Sequence, residues 1–237
     1  MQHYWSLFRD RKQGQLFSLL VLTSAFDVLL LLYRNHKLGH LWVLLESWKE
    51  AYLLVNITFI FLIWNLFLAW IPYLIALNLE GITRLKGGGI LAGMALLLWL
   101  LFFPNAPYII TDLLHLKHRA DIPKWYDLML FFSFAWTGLM LGFLSLQEVQ
   151  LFLKKRLGHG KARLLVCLSL VLCGFGIYLG RFLRWNSWDL FANPRPLMAD
   201  LFEILSNPLL HMHTLGLAIV LSGLLLLAYF TIQTLTE

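Results

Sequence analysis

The chain has 237 residues, 59% of them hydrophobic and 14% charged, with a mean hydropathy of +0.71 and a formal net charge of +6. Apolar content this high, gathered in long blocks, excludes an ordinary soluble domain and predicts an all-α polytopic integral membrane protein, a single domain over residues 1–237. The basic residues are spread through the connections between the blocks and form no stripe, which excludes nucleic acid as a partner and leaves the lipid bilayer.

A helix crosses a hydrocarbon core of about 30 Å with about 20 apolar residues. Six stretches qualify: 14–33, 52–78, 88–103, 128–147, 162–180 and 209–233, joined by short interfacial segments. The first could pass for a signal peptide at Thr23, Ser24 and Ala25, but its apolar run continues to Tyr33, so it reads as an uncleaved helix. Because two crossings separate them, connections one, three and five share one side of the membrane, termed here the odd face. Lys and Arg number ten in the even connections and termini and nine in the odd ones; the densest group, Lys154, Lys155, Arg156, Lys161 and Arg163, lies in connection four. Cytoplasmic termini are therefore expected, in a bacterial cell (inner) membrane on the resemblance given below.

Asp27 lies six residues before Tyr33, about 9 Å below the odd face at 1.5 Å per residue. An intramembrane carboxylate is costly and calls for a partner; Arg181 or Arg184 is the expected one. In the second span, Asn56, Asn65 and Asn78 read as hydrogen-bonding glue between helices.

The third span runs into Phe103-Pro104-Asn105-Ala106-Pro107-Tyr108 and then Thr111, Asp112 and His115. Proline removes a backbone donor and disfavours helix in the residue before it, so Pro104 and Pro107 should stop or kink the helix. A fresh helix capped by Asn105 and running to about Arg119 is expected. It would put Asp112 and His115, at i and i+3, on one face, and its N-terminal amides would favour an anion. Three roles compete for this cluster: proton transfer by Asp112 and His115, metal ligation by Asp112 and His115 with His118 or His211, and structural satisfaction of a broken helix. His211 and His213, two apart on a helix, cannot serve one metal site together, and the sequence assigns neither a metal nor a cofactor.

In the fourth and fifth spans, Gly138 with Gly142 and Gly176 with Gly180 have the spacing that lets helix backbones approach each other. Cys167 and Cys173, about 9 Å apart along one helix, cannot pair. Connection five opens with Arg181, Arg184, Trp185, Asn186, Ser187, Trp188 and Asp189. Arg181 with Trp185 and Arg184 with Trp188 stand at i and i+4, where guanidinium and indole can stack. Two arginines followed by Asn, Ser and Asp make a phosphate or carboxylate site. Residues 196–205, with Leu197, Leu201 and Leu205 at helical spacing, are expected to lie flat as an interfacial helix ended by Asn207 and Pro208.

The strings FPNAPYIITDLLHL (103–116), WNLFLAWIP (64–72) and RFLRWNSWD (181–189) resemble an uncharacterised bacterial family of polytopic membrane proteins, domain of unknown function 1361. The resemblance implies a bacterial membrane and no named activity. On the residues themselves the leading expectation is a membrane-embedded enzyme or handler of an anionic amphiphile, a lipid or lipid-linked substrate. In it Asp112 and His115 do proton work, Asn105 and Tyr108 orient the head group, and Arg181 and Arg184 hold it with Trp185, Asn186 and Asp189. A small transporter or channel built on Asp27 and the broken helix is the alternative, and an assembly or regulatory subunit the third.

Overall fold

The computed structural model describes residues 11–37, 59–116, 122–207 and 212–236. These are almost wholly helical, with no strand among the described residues, and six helices are long and apolar enough to cross a membrane. The elements are α1 (Arg11–Lys37), α2 (Phe61–Ile82), α3 (Gly88–Phe102), the single turn α4 (Asn105–Tyr108) continued by a 3-10 segment (Ile109–His115), α5 (Lys124–Leu157), α6 (His159–Phe182), the short α7 (Asp189–Ala192), α8 (Pro194–Ser206) and α9 (Met212–Thr236). The start of the expected second span, 52–58, lies outside the described residues, as do His118, Asp121 and His211.

The most enclosed of the crossing helices is α5 and the least is α1. Around α5, one core joins α3, α5, α6 and α9 through Trp99, Phe103, Phe143, Leu170, Leu225 and Tyr229. A second joins α1, α2 and α5 through Leu31, Leu62, Phe131 and Phe134, and takes in Ala106 and Ile109 from the broken segment. Polar links fix azimuth within this apolar packing: Trp99 Nε1 donates to Ser145 Oγ at 2.6 Å, and the Tyr229 hydroxyl donates to Gln150 Oε1. With no apolar driving force between helices in lipid, such links and close packing hold the bundle together.

Both ends of the bundle carry ion pairs, of unequal weight. At the even face Lys155 and Arg156 of α5 meet Glu80 of α2 at 2.8 and 3.3 Å, in exposed positions where a pair contributes about 0–1 kcal/mol. At the odd face Arg34 of α1 meets Asp127 of α5 at 2.7 Å, both fully enclosed, with the guanidinium 4.0 Å over the Phe59 ring. The turn from α5 to α6 is a single residue, Gly158, at φ +82°, where a side chain would be strained.

The second half of connection five folds as expected. Helix α8 opens on Pro194, ends at Ser206 before Asn207, and buries Leu197 and Ile204 while Met198 and Phe202 stay exposed. One apolar edge therefore faces the bundle and the other faces outward, the disposition of a helix lying in an interface. Ile204 packs with Tyr178 of α6 and Ala218 of α9.

Candidate functional site

The prolines break the third span where expected, but the fresh helix to Arg119 does not form. Asn105–Tyr108 makes one α turn, the chain tightens to a 3-10 segment, and Leu116 is extended. The missing donor of Pro107 and the bond from Thr111 Oγ1 back to the Tyr108 carbonyl (2.7 Å) both draw the backbone away from α geometry. Nor does Asn105 cap a helix: its side-chain nitrogen donates to the Phe102 carbonyl (2.9 Å) and to Ser187 Oγ (3.0 Å), and Ser187 donates in turn to the Leu101 carbonyl (2.9 Å). The amide thus ties the end of α3 to connection five.

Small residues explain how so irregular a segment fits inside the bundle. The glycines on α5 and α6 do not serve a contact with each other; they receive the broken segment from both sides. A Cβ at Gly138 would stand 2.5 Å from the Ala106 carbonyl oxygen, and one at Gly176 would stand 2.7 Å from the Pro104 ring. Gly142 faces Ala106 and Pro107, and Gly180 faces the Tyr108 ring.

Arg181 joins α6 to the 3-10 segment. Its Nη2 donates to Asp112 Oδ1 at 2.5 Å, Nε and Nη2 donate to Thr111 Oγ1 at 2.9 and 2.6 Å, and the guanidinium lies 4.5 Å over the Tyr108 ring. Asn65 of α2 donates to Asp112 Oδ2 at 2.8 Å. Both carboxylate oxygens are therefore engaged, and Asp112 is enclosed. The expected pairing of Asp27 with Arg181 or Arg184 is corrected by this geometry. Arg181 takes Asp112, while Asp27 receives the Ser133 hydroxyl of α5. Asp27 stays fully buried, and its Oδ2 has no hydrogen-bond partner among the described residues.

The i, i+4 stacking expected after Arg181 is also absent, because α6 ends at Phe182. Arg184 takes a left-handed backbone at φ +61° and is exposed. Past this reversal Trp185 Nε1 donates to Asp200 Oδ2 of α8 at 2.8 Å, and Trp188 meets Trp64 edge-on at 6.3 Å. Asp189 is buried and organises the turn. Its Oδ2 accepts from the Asn186 backbone N–H (2.7 Å) and side chain (3.2 Å), and its Oδ1 accepts from Asn193 (3.0 Å). The Asn186 N–H, reinforced by the Asn193 and Asn186 amides against the cost of burial, holds its carboxyl below the ordinary value of 3.8.

These elements enclose a cavity of about 290 Å³ at the odd face. Four predicted residues, Asn105, Tyr108, Trp185 and Asn186, line it together with Trp64, Asn65, Ser187 and the leucines 68, 101, 190, 197 and 201. Asp112, Arg181 and Asp189 lie behind its walls as supports. The backbone of His115 ends the 3-10 segment, and its side chain, like that of His213, lies outside the described residues. Sequence reasoning missed Asn65 and Trp64 as cavity residues; their signal was the adjacent Trp-Asn pair inside the 64–72 string, read there only as helix glue. The buried Arg34–Asp127 pair was missed too, although one residue closes α1 and the other opens α5 on the same face.

A helical bundle with six helices long and apolar enough to cross a membrane defines the class, an integral membrane protein of the multi-pass type. A family model described as "Protein of unknown function (DUF1361)" matches residues 64–228, and the chain belongs to that family. The match covers all three strings named above. Neither the curated proteins nor the solved structures contain a match.

Proposed function

We propose that the protein binds an amphiphile at the odd face of a bacterial cell membrane, with its head group in the cavity and its apolar chain running out past Leu190, Leu197 and Leu201. The observation that carries this is the composition of the cavity wall: amides, a phenol and indoles interspersed with apolar residues over most of it, and leucines alone where α7 and α8 close it. That division matches a molecule with one polar and one apolar end. Asp112 and Arg181 act as positioning residues that hold the broken segment against α6, and Asn105 and Tyr108 orient the head group. Arg184, exposed beside the cavity residue Trp185, supplies positive charge to an anionic group outside the cavity. With cytoplasmic termini the cavity opens on the outer leaflet.

The test is purification in mild detergent followed by mass spectrometry of the lipids that stay bound. Leu201→Trp should fill the cavity and strip a lipid that the unaltered chain retains. Identical lipid complements in the two proteins would remove the proposal.

One observation favours transport as a second function. Asp27 is a fully buried intramembrane carboxyl with an unbonded oxygen among the described residues, and a second cavity of about 610 Å³, lined by Thr23, Thr137, Gln147 and Glu148, reaches toward the even face. Proteoliposome flux that disappears in Asp27→Asn would establish it, and unchanged flux would exclude Asp27 from any pathway.

A further inference from the structure

Three amides around the odd-face cavity are each anchored through a side-chain N–H. Asn65 spends its N–H on Asp112, Asn105 spends its own on Phe102 and Ser187, and Asn186 spends its own on Asp189. The two amides beside carboxylates can only be oriented this way, since a carboxylate accepts and does not donate. The three side-chain carbonyl oxygens take no donor among the described residues, and all three amides line the cavity. The Tyr108 hydroxyl also takes no hydrogen bond from the described residues; the Trp185 N–H is committed to Asp200.

Asn65 and Asn186 each give one of their two N–H bonds to a carboxylate and keep the second among the described residues, so the wall presents N–H groups beside carbonyl oxygens. Such a wall suits a ligand that both donates and accepts, and the charge of an anionic group is met outside, at the exposed Arg184. An ammonium would find no carboxylate in the lining, since Asp112, Asp189 and Asp200 are not among the residues that face the cavity. The amides stand on three elements, α2, α4 and the turn after α6, a spread that several hydroxyls fixed on one ring suit. The Trp64 and Trp185 indoles and the Tyr108 ring supply apolar surface for the C–H faces of such a ring. The volume, about 290 Å³, lies at the small end of ligand pockets, about 300–1,000 Å³, and suits one ring.

We infer that the head group seated in the cavity is a single hydroxylated ring, a glycosyl unit of the kind a glycolipid or a lipid-linked sugar phosphate carries. The inference rests on the amphiphile proposal and names its substrate class.

The experiment titrates four probes of equal chain length against the purified protein, read by its tryptophan fluorescence: an alkyl glucoside, an alkyl glucosyl phosphate, an alkyl phosphate and an alkyl ammonium. Both glucosyl probes should bind more tightly than the other two. Tyr108→Phe, which keeps the ring on Arg181 and removes only the hydroxyl, should weaken the glucosyl probes about threefold to tenfold, the cost of one hydrogen bond, and leave the others unchanged. A tighter glucosyl phosphate, with the increment lost in Arg184→Gln, would identify a sugar phosphate, and equal affinities would identify a neutral glycolipid. If the phosphate or ammonium probe binds best, still blocked by Leu201→Trp, the glycosyl assignment falls and the amphiphile proposal stands. If no probe is sensitive to Leu201→Trp, both fall.

Discussion

Removing Arg181 should cost more than removing its partner, and the reason lies in what each leaves behind. In Arg181→Met the Asp112 carboxylate stays enclosed and keeps Asn65 but loses its guanidinium. A buried charge stripped of its counterion costs about 3–5 kcal/mol, which for a protein of this size is about 6–20 °C in melting temperature. In Asp112→Asn the guanidinium keeps the Thr111 hydroxyl and the Tyr108 ring, and its side chain is 11% exposed and so reaches water. That loss should be about 1–3 kcal/mol, the range for one unsatisfied buried group. The double variant Asp112→Asn/Arg181→Met has no orphaned charge and should be more stable than Arg181→Met alone by about 2 kcal/mol. Thermal unfolding of the four proteins in one detergent measures this cycle. Additive losses, or a smaller loss for Arg181→Met than for Asp112→Asn, would refute the ion pair as the clamp on the broken segment.

Gly138→Ala should lower the melting temperature by several degrees, because the new methyl would press on the backbone oxygen of Ala106, which cannot swing aside; overpacking of this kind costs about 1–3 kcal/mol. The same change at Gly93, which has open space, should be neutral by the same melt. Asp189 has a carboxyl pKa lower in the folded state than its ordinary 3.8, so its contribution is present above that value and fades as pH falls through the folded one. Melts from pH 7 to pH 3 should therefore show Asp189→Asn less stable than the parent at neutral pH, with the gap closing below about pH 4; a constant gap would contradict the assignment. Reporter fusions after residues 116 and 190 should give the same sidedness, and one after residue 158 the opposite; periplasmic signal from 158 would reverse the proposed orientation.

Much of the fold was legible because crossing a bilayer demands a length and an apolarity that no turn can imitate. The break at Pro104 and Pro107 was legible from backbone chemistry, and the side shared by Asp112 and Arg181 followed from counting crossings. What the chain did not reveal was azimuth. Distance along a helix gives the place of Asp27 within the first span, but which neighbour it faces depends on rotation, and that rotation offers it Ser133. The glycines were visible as places of close approach, yet a spacing cannot say whether the approaching backbone is the facing helix or a third segment wedged between. The α turn and 3-10 segment after Pro104 escaped because local propensity allowed a longer helix, whereas the Thr111 hydroxyl bonds back to the Tyr108 carbonyl and the chain coils more tightly there.

The enclosed bond between Arg34 and Asp127 spans 93 residues of chain. Synthesis delivers the two halves of this bond far apart: the arginine at the mouth of the first crossing emerges early, and the aspartate only after three hydrophobic segments have left the ribosome and the next has begun. The opening of the fourth crossing thus clasps the first to the bundle, and a polypeptide halted before Lys124 lacks that clasp.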